Sequence, residues 1–203
     1  MERRRRRLDR RAWCVLAAGA ALAVVVVSSA RATLIVQPDL AVMARGADAV
    51  VHAVVERTGT QMAYNASTAP YSVTELRVLR WLSGGQGERA WIRDPGAVWR
   101  NGGRPVAGAA VYERGEEVIV FLRRDAGKYF RTHDLAAGKL VVRRDGGEPL
   151  VEQDLREVSV IVAPQRGALA EPAGSAMVVG RRQVLASLSD VLAQLQDALG
   201  AGK

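Results

Sequence analysis

Cysteine is almost missing from this 203-residue chain: Cys14 stands alone, near the front and ahead of an apolar run. A single thiol in that place excludes disulfide bridges, thiolate metal sites and a cysteine nucleophile from everything that follows it. Histidine occurs only as His52 and His133, and aromatic residues make up 5% of the chain. A zinc site needs three or four convergent ligands, more than two distant histidines supply. The glycine clusters Gly84-Gly85-Gln86-Gly87, Gly102-Gly103 and Gly146-Gly147 match neither a dinucleotide fingerprint nor a phosphate loop, and read as turns. No metal and no cofactor is expected.

Net positive charge is also small along most of the length. The formal net charge is +8, but residues 1–32 hold eight arginines against Glu2 and Asp9, which leaves only +2 for residues 33–203. Nucleic-acid binders concentrate cations on a surface that displaces counterions from phosphates, and a nearly neutral body offers no such field. Nucleic acid is therefore not an expected partner.

What is present at the front is a leader. An arginine run, an apolar segment from Trp13 to Val27 and the small-residue site Ala30-Arg31-Ala32 follow the order of a secretory signal peptide, with cleavage expected after Ala32. The alternative is an uncleaved inner-membrane anchor, since the 19 residues from Ala12 to Ala30 reach the length of a span. Either form leaves the protein exported, periplasmic or extracellular, and touching membrane only through its N-terminal segment. Cys14 precedes the apolar core and is badly placed for lipid attachment.

Beyond the leader, "QPDLAVMARG" predicts a short helix with Pro38 and Asp39 at its start, Leu40, Met43 and Ala44 on its buried face and Gly46 as a left-handed stop. The β-branched run over Val50–Val55 predicts a largely buried strand. "YSVTELRVLRWLSGG" alternates like a long strand, and "ERAWIRDPG" reads as another, closed by Asp94-Pro95-Gly96. Residues 96–111 are expected to form a long loop. Hairpins follow at Glu117–Arg123 and Lys128–His133, and around Asp145-Gly146-Gly147. Near the end, Ser187 and Asp190 have capping-box spacing ahead of a stripe of Leu188, Val191, Leu192, Leu195 and Leu199, which should pack on an open side of the sheet. The expected organisation is a leader at 1–32, a mainly β domain at 33–160, a flexible linker at 161–182 and a helix at 183–203. Five or six short strands with a helix at each end predict a small antiparallel OB-like β-barrel.

The segments "ADAVVHAVVE", "YSVTELRVLRWLSGG", "YERGEEVIVFLRR" and "KYFRTHDLAAGKLVV" together resemble the OB-type barrel of the netrin-like module, the fold of tissue inhibitors of metalloproteinases, and a loose group of exported bacterial proteins of unknown function. The resemblance spans about residues 40–142. It implies an OB-type barrel, and it raises inhibition of an exported metalloprotease as one role. In those inhibitors a disulfide-tied N-terminal cysteine meets the protease zinc. Here the expected first residue is Thr33, so no inhibitory residue carries over.

For chemistry, His133-Asp134 has the form of an oriented base without a recognisable nucleophile, and His52 reads as a satisfied strand residue. Glu116 and Glu117 point to opposite sides of an extended chain and are expected to serve solvation and edge protection. The binding candidates are Trp91, Arg93, Trp99, Arg100 and Arg104, where large aromatics alternate with guanidinium groups suited to an anionic, glycan or peptide ligand. Against this stands a packing reading, in which Trp91 fills the barrel and Trp99 latches the loop. The expected function is a non-enzymatic binding or accessory module, with a protease inhibitor or pro-segment-like partner as the alternative.

Overall fold

In the computed structural model, which describes residues 33–36, 39–61, 70–96, 106–156, 158–162 and 176–201, the elements run β1 (Thr33–Val36), α1 (Leu40–Gly46), β2 (Ala49–Gln61), β3 (Tyr71–Ser83), β4 (Arg89–Pro95), β5 (Glu117–Arg124), β6 (Tyr129–Thr132), β7 (Lys139–Arg143), β8 (Leu150–Asp154), β9 (Val158–Val162), β10 (Ala176–Val179), β11 (Arg182–Ser187) and α2 (Leu188–Gly200), with a 3-10 turn at Leu135–Gly138. The leader with Ala30 and Ala32, and the loop residues Trp99, Arg100 and Arg104, lie outside the described residues.

β2 pairs with β3 and β5, β3 with β4, and β5 with β6, all antiparallel. β4 and β6 then join in parallel, Trp91 opposite Tyr129 and Ile92 opposite Phe130, which closes a five-stranded OB-like barrel. The one departure from an antiparallel barrel follows from the count: an odd ring cannot alternate direction all the way round. From β5 the sheet also continues outward through β7 and β8 to β11.

Sequence decides which strands sit at the centre. Ala49, Val51, Ala53 and Val55 of β2 and Val118, Val120 and Leu122 of β5 point into the barrel with Leu76, Ala90 and Ile92. The alternate residues Val50, Ile119 and Phe121 face outward, into a second cluster with Leu140, Val142 and Val151 of the sheet extension. Burial on both faces explains why these two strands are apolar without interruption.

The outer cluster is completed by the helices. Val191, Leu195 and Ala198 of α2 are buried there beside Met43 and Ala44 of α1. The barrel has no open side, so the stripe read in the sequence covers the barrel's outer wall instead. Ser187 caps α2, its hydroxyl accepting from the Asp190 N–H at 3.2 Å and donating to the Asp190 carboxylate at 2.7 Å. Asp39 caps α1 by accepting from Ala41 N–H at 2.7 Å. Gly46 is not a left-handed stop: α1 ends through the Ala47 N–H donating to Met43 C=O, with Ala47 extended. The glycine instead makes room, because a Cβ at position 46 would lie 3.0 Å from His133 Nε2.

Other corrections concern the C-terminal third. Val158–Val162 and Ala176–Val179 are strands in a small sheet with β1, and Arg182–Ser187 pairs with β8 before the helix begins at Leu188. The linker expected over 161–182 thus contains strand at both ends. Its alanine, glycine and proline content masked the short runs VSVIV and AMVV, whose β-branched residues suit a sheet.

The β4–β6 seam has only two paired positions, and a buried polar clasp reinforces it. The Asp94 carboxylate accepts from Thr132 N–H at 2.8 Å and from the Thr132 hydroxyl at 2.5 Å. With that proton committed, the Tyr112 hydroxyl is the donor in its 2.7 Å bond to Thr132 Oγ1. All three side chains are buried. Thr132→Val removes both side-chain bonds and leaves Asp94 and Tyr112 short of a partner, which should cost about 1–3 kcal/mol in urea unfolding. Burial raises the Asp94 pKa above the usual carboxyl value, outweighing the Thr132 bonds that work to lower it. A raised folded-state value means that the stability linked to Asp94 is fully present below the ordinary carboxyl pKa and is lost as pH rises through the folded one. Asp94→Asn should abolish that loss in a pH series of unfolding free energies.

Candidate ligand-binding cleft

The β3–β4 turn, the β5–β6 turn and the β4–β6 seam border an open cleft of about 700 Å3, lined by Trp81, the Gly84-to-Gln86 turn, Ala90, Arg124, Lys128, Tyr129 and Phe130. Trp81, Phe130 and Arg124 continue the inward-facing rows of β3, β6 and β5, so the cleft occupies one mouth of the barrel. Trp91 and Arg89 border it from the outer face of β4.

The turn between β3 and β4 requires its glycines. Gly84 has φ +69°, and a Cβ there would lie 1.9 Å from the Asp48 carbonyl oxygen. A Cβ on Gly85 would lie 2.2 Å from the Trp81 ring. With Gly85 beneath it, the Trp81 indole lies along the turn and donates from Nε1 to Gly87 C=O at 2.8 Å. Its ring centroid stands 6.0 Å from that of Phe130, tilted by 46°.

The cations of the cleft are held over rings. Lys128 Nζ is 4.2 Å from the centroid of Trp91 and 5.7 Å from that of Tyr129. The Arg124 guanidinium lies 5.8 Å from the Phe130 centroid, and its Nη2 donates to Gly84 C=O at 2.8 Å. Arg89 donates from Nη1 to Glu75 at 2.7 Å. Glu75 also accepts from Arg57, whose hydrogen bond, with Arg89, holds its carboxyl below the usual range despite burial.

Trp91 does not fill the barrel, because Ala90 and Ile92 take the inward positions and Trp91 faces out, half-buried, at the edge of the cleft. Arg93 stands behind the site. Its guanidinium lies 5.2 Å from the Tyr71 centroid and 5.0 Å from that of Tyr129, and donates to Asp125 at 2.7 and 3.0 Å. Burial tends to raise the Asp125 pKa, but Arg93, the Ala126 N–H and Arg131 together bring it below the usual value. Arg93 therefore clamps the β5–β6 turn against β4. Trp81, Arg89, Arg124, Lys128, Tyr129 and Phe130 escaped the sequence reading. Their turns are recognisable there, but the strand order that brings the turns together is not.

The remaining chemistry-bearing residues are engaged elsewhere. His52 Nε2 is 2.8 Å from Glu117 Oε1, and Glu117 also accepts two bonds from Arg144, the chief cause of its lowered pKa. Glu116 accepts from Lys139 Nζ at 2.6 Å and from Glu113 N–H at 2.8 Å. The two glutamates do point to opposite sides, but each anchors a cation in place of the expected solvation and edge protection. His133 Nδ1 lies 3.4 Å from Asp134 Oδ1, and no seryl hydroxyl is bonded to that pair among the described residues. No protein-family model matches the chain, and no curated protein matches it either.

Proposed function

We propose that the chain is an exported, non-enzymatic binding or accessory module that takes its ligand in the cleft at the barrel mouth. The observation that carries this reading is the pairing of cations with rings, Lys128 over Trp91 and Arg124 over Phe130, all four residues lining one open space. Cations so held present charge to an incoming anion without being neutralised, and the rings supply apolar surface beside them. The arginine-rich front and Ala30-Arg31-Ala32 support export. The OB-like barrel is in keeping with a netrin-like relationship, and barrels of this type often bind near their connecting loops.

Among the described residues nothing favours the protease-inhibitor alternative, and Thr33–Val36 is paired with Val158–Ile161. Nucleic acid has no place in the reading, given the small charge outside the leader.

The test is a fluorescence titration of the purified chain with acidic oligosaccharides, acidic peptides and phosphorylated glycerol. At least one should change the tryptophan signal saturably, lose that effect in Trp91→Ala combined with Lys128→Ala, and be recovered chemically unchanged. A bound compound recovered as product, or saturation indifferent to both substitutions, would contradict the reading.

A further inference from the structure

Most described cations of this protein are ion-paired, as in Arg57–Glu75, Arg93–Asp125, Lys139–Glu116 and Arg144–Glu117. The side chains of Arg124 and Lys128, on either side of the Asp125-Ala126-Gly127 turn, form no ion pair among the described residues and meet rings and the Gly84 carbonyl, while the Arg124 backbone N–H donates to the Asp48 carboxylate at 2.8 Å. Among the described residues the one acid lining the cleft, Asp125, is already taken by Arg93 at 2.7 Å and Arg131 at 3.5 Å. Arg89 adds a third cation whose charge is shared with Glu75. The cleft therefore holds an excess of positive charge, preorganised by aromatic faces that attract cations without cancelling them.

We propose that this excess selects a phosphate group, carried on a small solute or on a lipid headgroup, and this rests on the binding reading above. One carboxylate is satisfied by a single bidentate arginine. Here the cations come from three elements, β4, the end of β5 and the β5–β6 turn, and face one open space. That arrangement suits a tetrahedral group with several oxygens and up to two charges, and lysine serves phosphate well as a point charge. Beside the cleft, Arg57 and Arg89 are ion-paired to Glu75 and Arg77 to Glu56, so the free charge is concentrated at Arg124 and Lys128, as a site for one phosphate needs.

Isothermal titration of the full chain with inorganic phosphate, acetate as the carboxylate control, tests the chemistry. Phosphate should bind saturably and acetate at least about tenfold more weakly. Lys128→Gln and Arg124→Gln should each weaken phosphate binding by roughly tenfold, and the exposed Lys128→Gln should keep the wild-type melting temperature. Cosedimentation with phosphatidylglycerol and phosphatidylcholine vesicles separates the sources. A preference for phosphatidylglycerol that Lys128→Gln removes assigns a lipid headgroup, whereas phosphate binding without that preference assigns a small solute. Acetate binding equal to phosphate, no saturation with phosphate, or phosphate binding untouched by Lys128→Gln overturns the proposal. If phosphate fails while an acidic oligosaccharide or peptide still perturbs the cleft tryptophans, only the phosphate assignment falls. If none binds, the binding-module reading falls with it.

Discussion

Phe121→Ala should lower the unfolding free energy by about 3–5 kcal/mol. Phe121 is fully buried, on the outward row of the central strand β5, in a cluster shared with Val50 of β2, Leu140 and Val142 of β7, and Met43 and Leu195 of the two helices. Removing the ring deletes its transfer free energy and leaves a cavity that three layers of structure border, so collapse around it is limited. The inward row of β5, with Val118, Val120 and Leu122, is untouched. Hydrogen exchange should therefore show α1 and α2 losing protection before the barrel strands do. Urea unfolding reads the total, and a cost under about 1 kcal/mol would mean that the helices are not seated on this wall.

Gly84→Ala should cost about 3 kcal/mol or more, through two effects that add. Its φ of +69° carries a left-handed penalty of about 1–2 kcal/mol for an L side chain. The new methyl carbon would also lie 1.9 Å from the Asp48 carbonyl oxygen and 2.8 Å from Ala49 Cα, both backbone atoms. Gly146 is the internal control, since its φ is +88° but no atom lies within 4 Å of the Cβ position. Gly146→Ala should therefore show the left-handed penalty alone. Because Gly84 C=O also anchors Arg124, Gly84→Ala should weaken ligand binding in the cleft, and Gly146→Ala should not. Equal losses of stability in the two variants would place the β3–β4 turn elsewhere than against Asp48.

The barrel was legible because its strands announce themselves locally. Alternation in Tyr71–Ser83, the β-branched run in β2 and the Asp125-Ala126-Gly127 turn each predict an element without reference to the rest of the chain. The helix at the end was equally clear from its cap and stripe, but its seat was not. Val50, Ile119 and Phe121 sit in runs apolar on both faces, so periodicity does not tell which row faces the helices and which the barrel.

The cleft was the least legible part. The stretch "WIRDPGAVWRNGGR" includes Trp91, which borders the cleft, but its Arg93 is a clamp between Tyr71 and Tyr129. The cations that face the cleft with Trp91, Arg124 and Lys128, lie more than thirty positions away from it. Only the parallel β4–β6 pairing, forced by closing a five-stranded ring, brings Lys128 to the indole. Likewise Asp94-Pro95-Gly96 reads as a turn, although Asp94 is the buried acceptor that holds the seam shut.

The most direct test of the cleft as the ligand site is an NMR titration of the indole N–H resonances with inorganic phosphate. The full uncleaved chain has four tryptophans, and in it Trp81 and Trp91 should shift together and saturate while Trp13 of the leader does not move. Shifts confined to Trp13 or Trp99, or a Trp81–Trp91 pair indifferent to saturating ligand, would contradict the placement of binding at the mouth of the barrel.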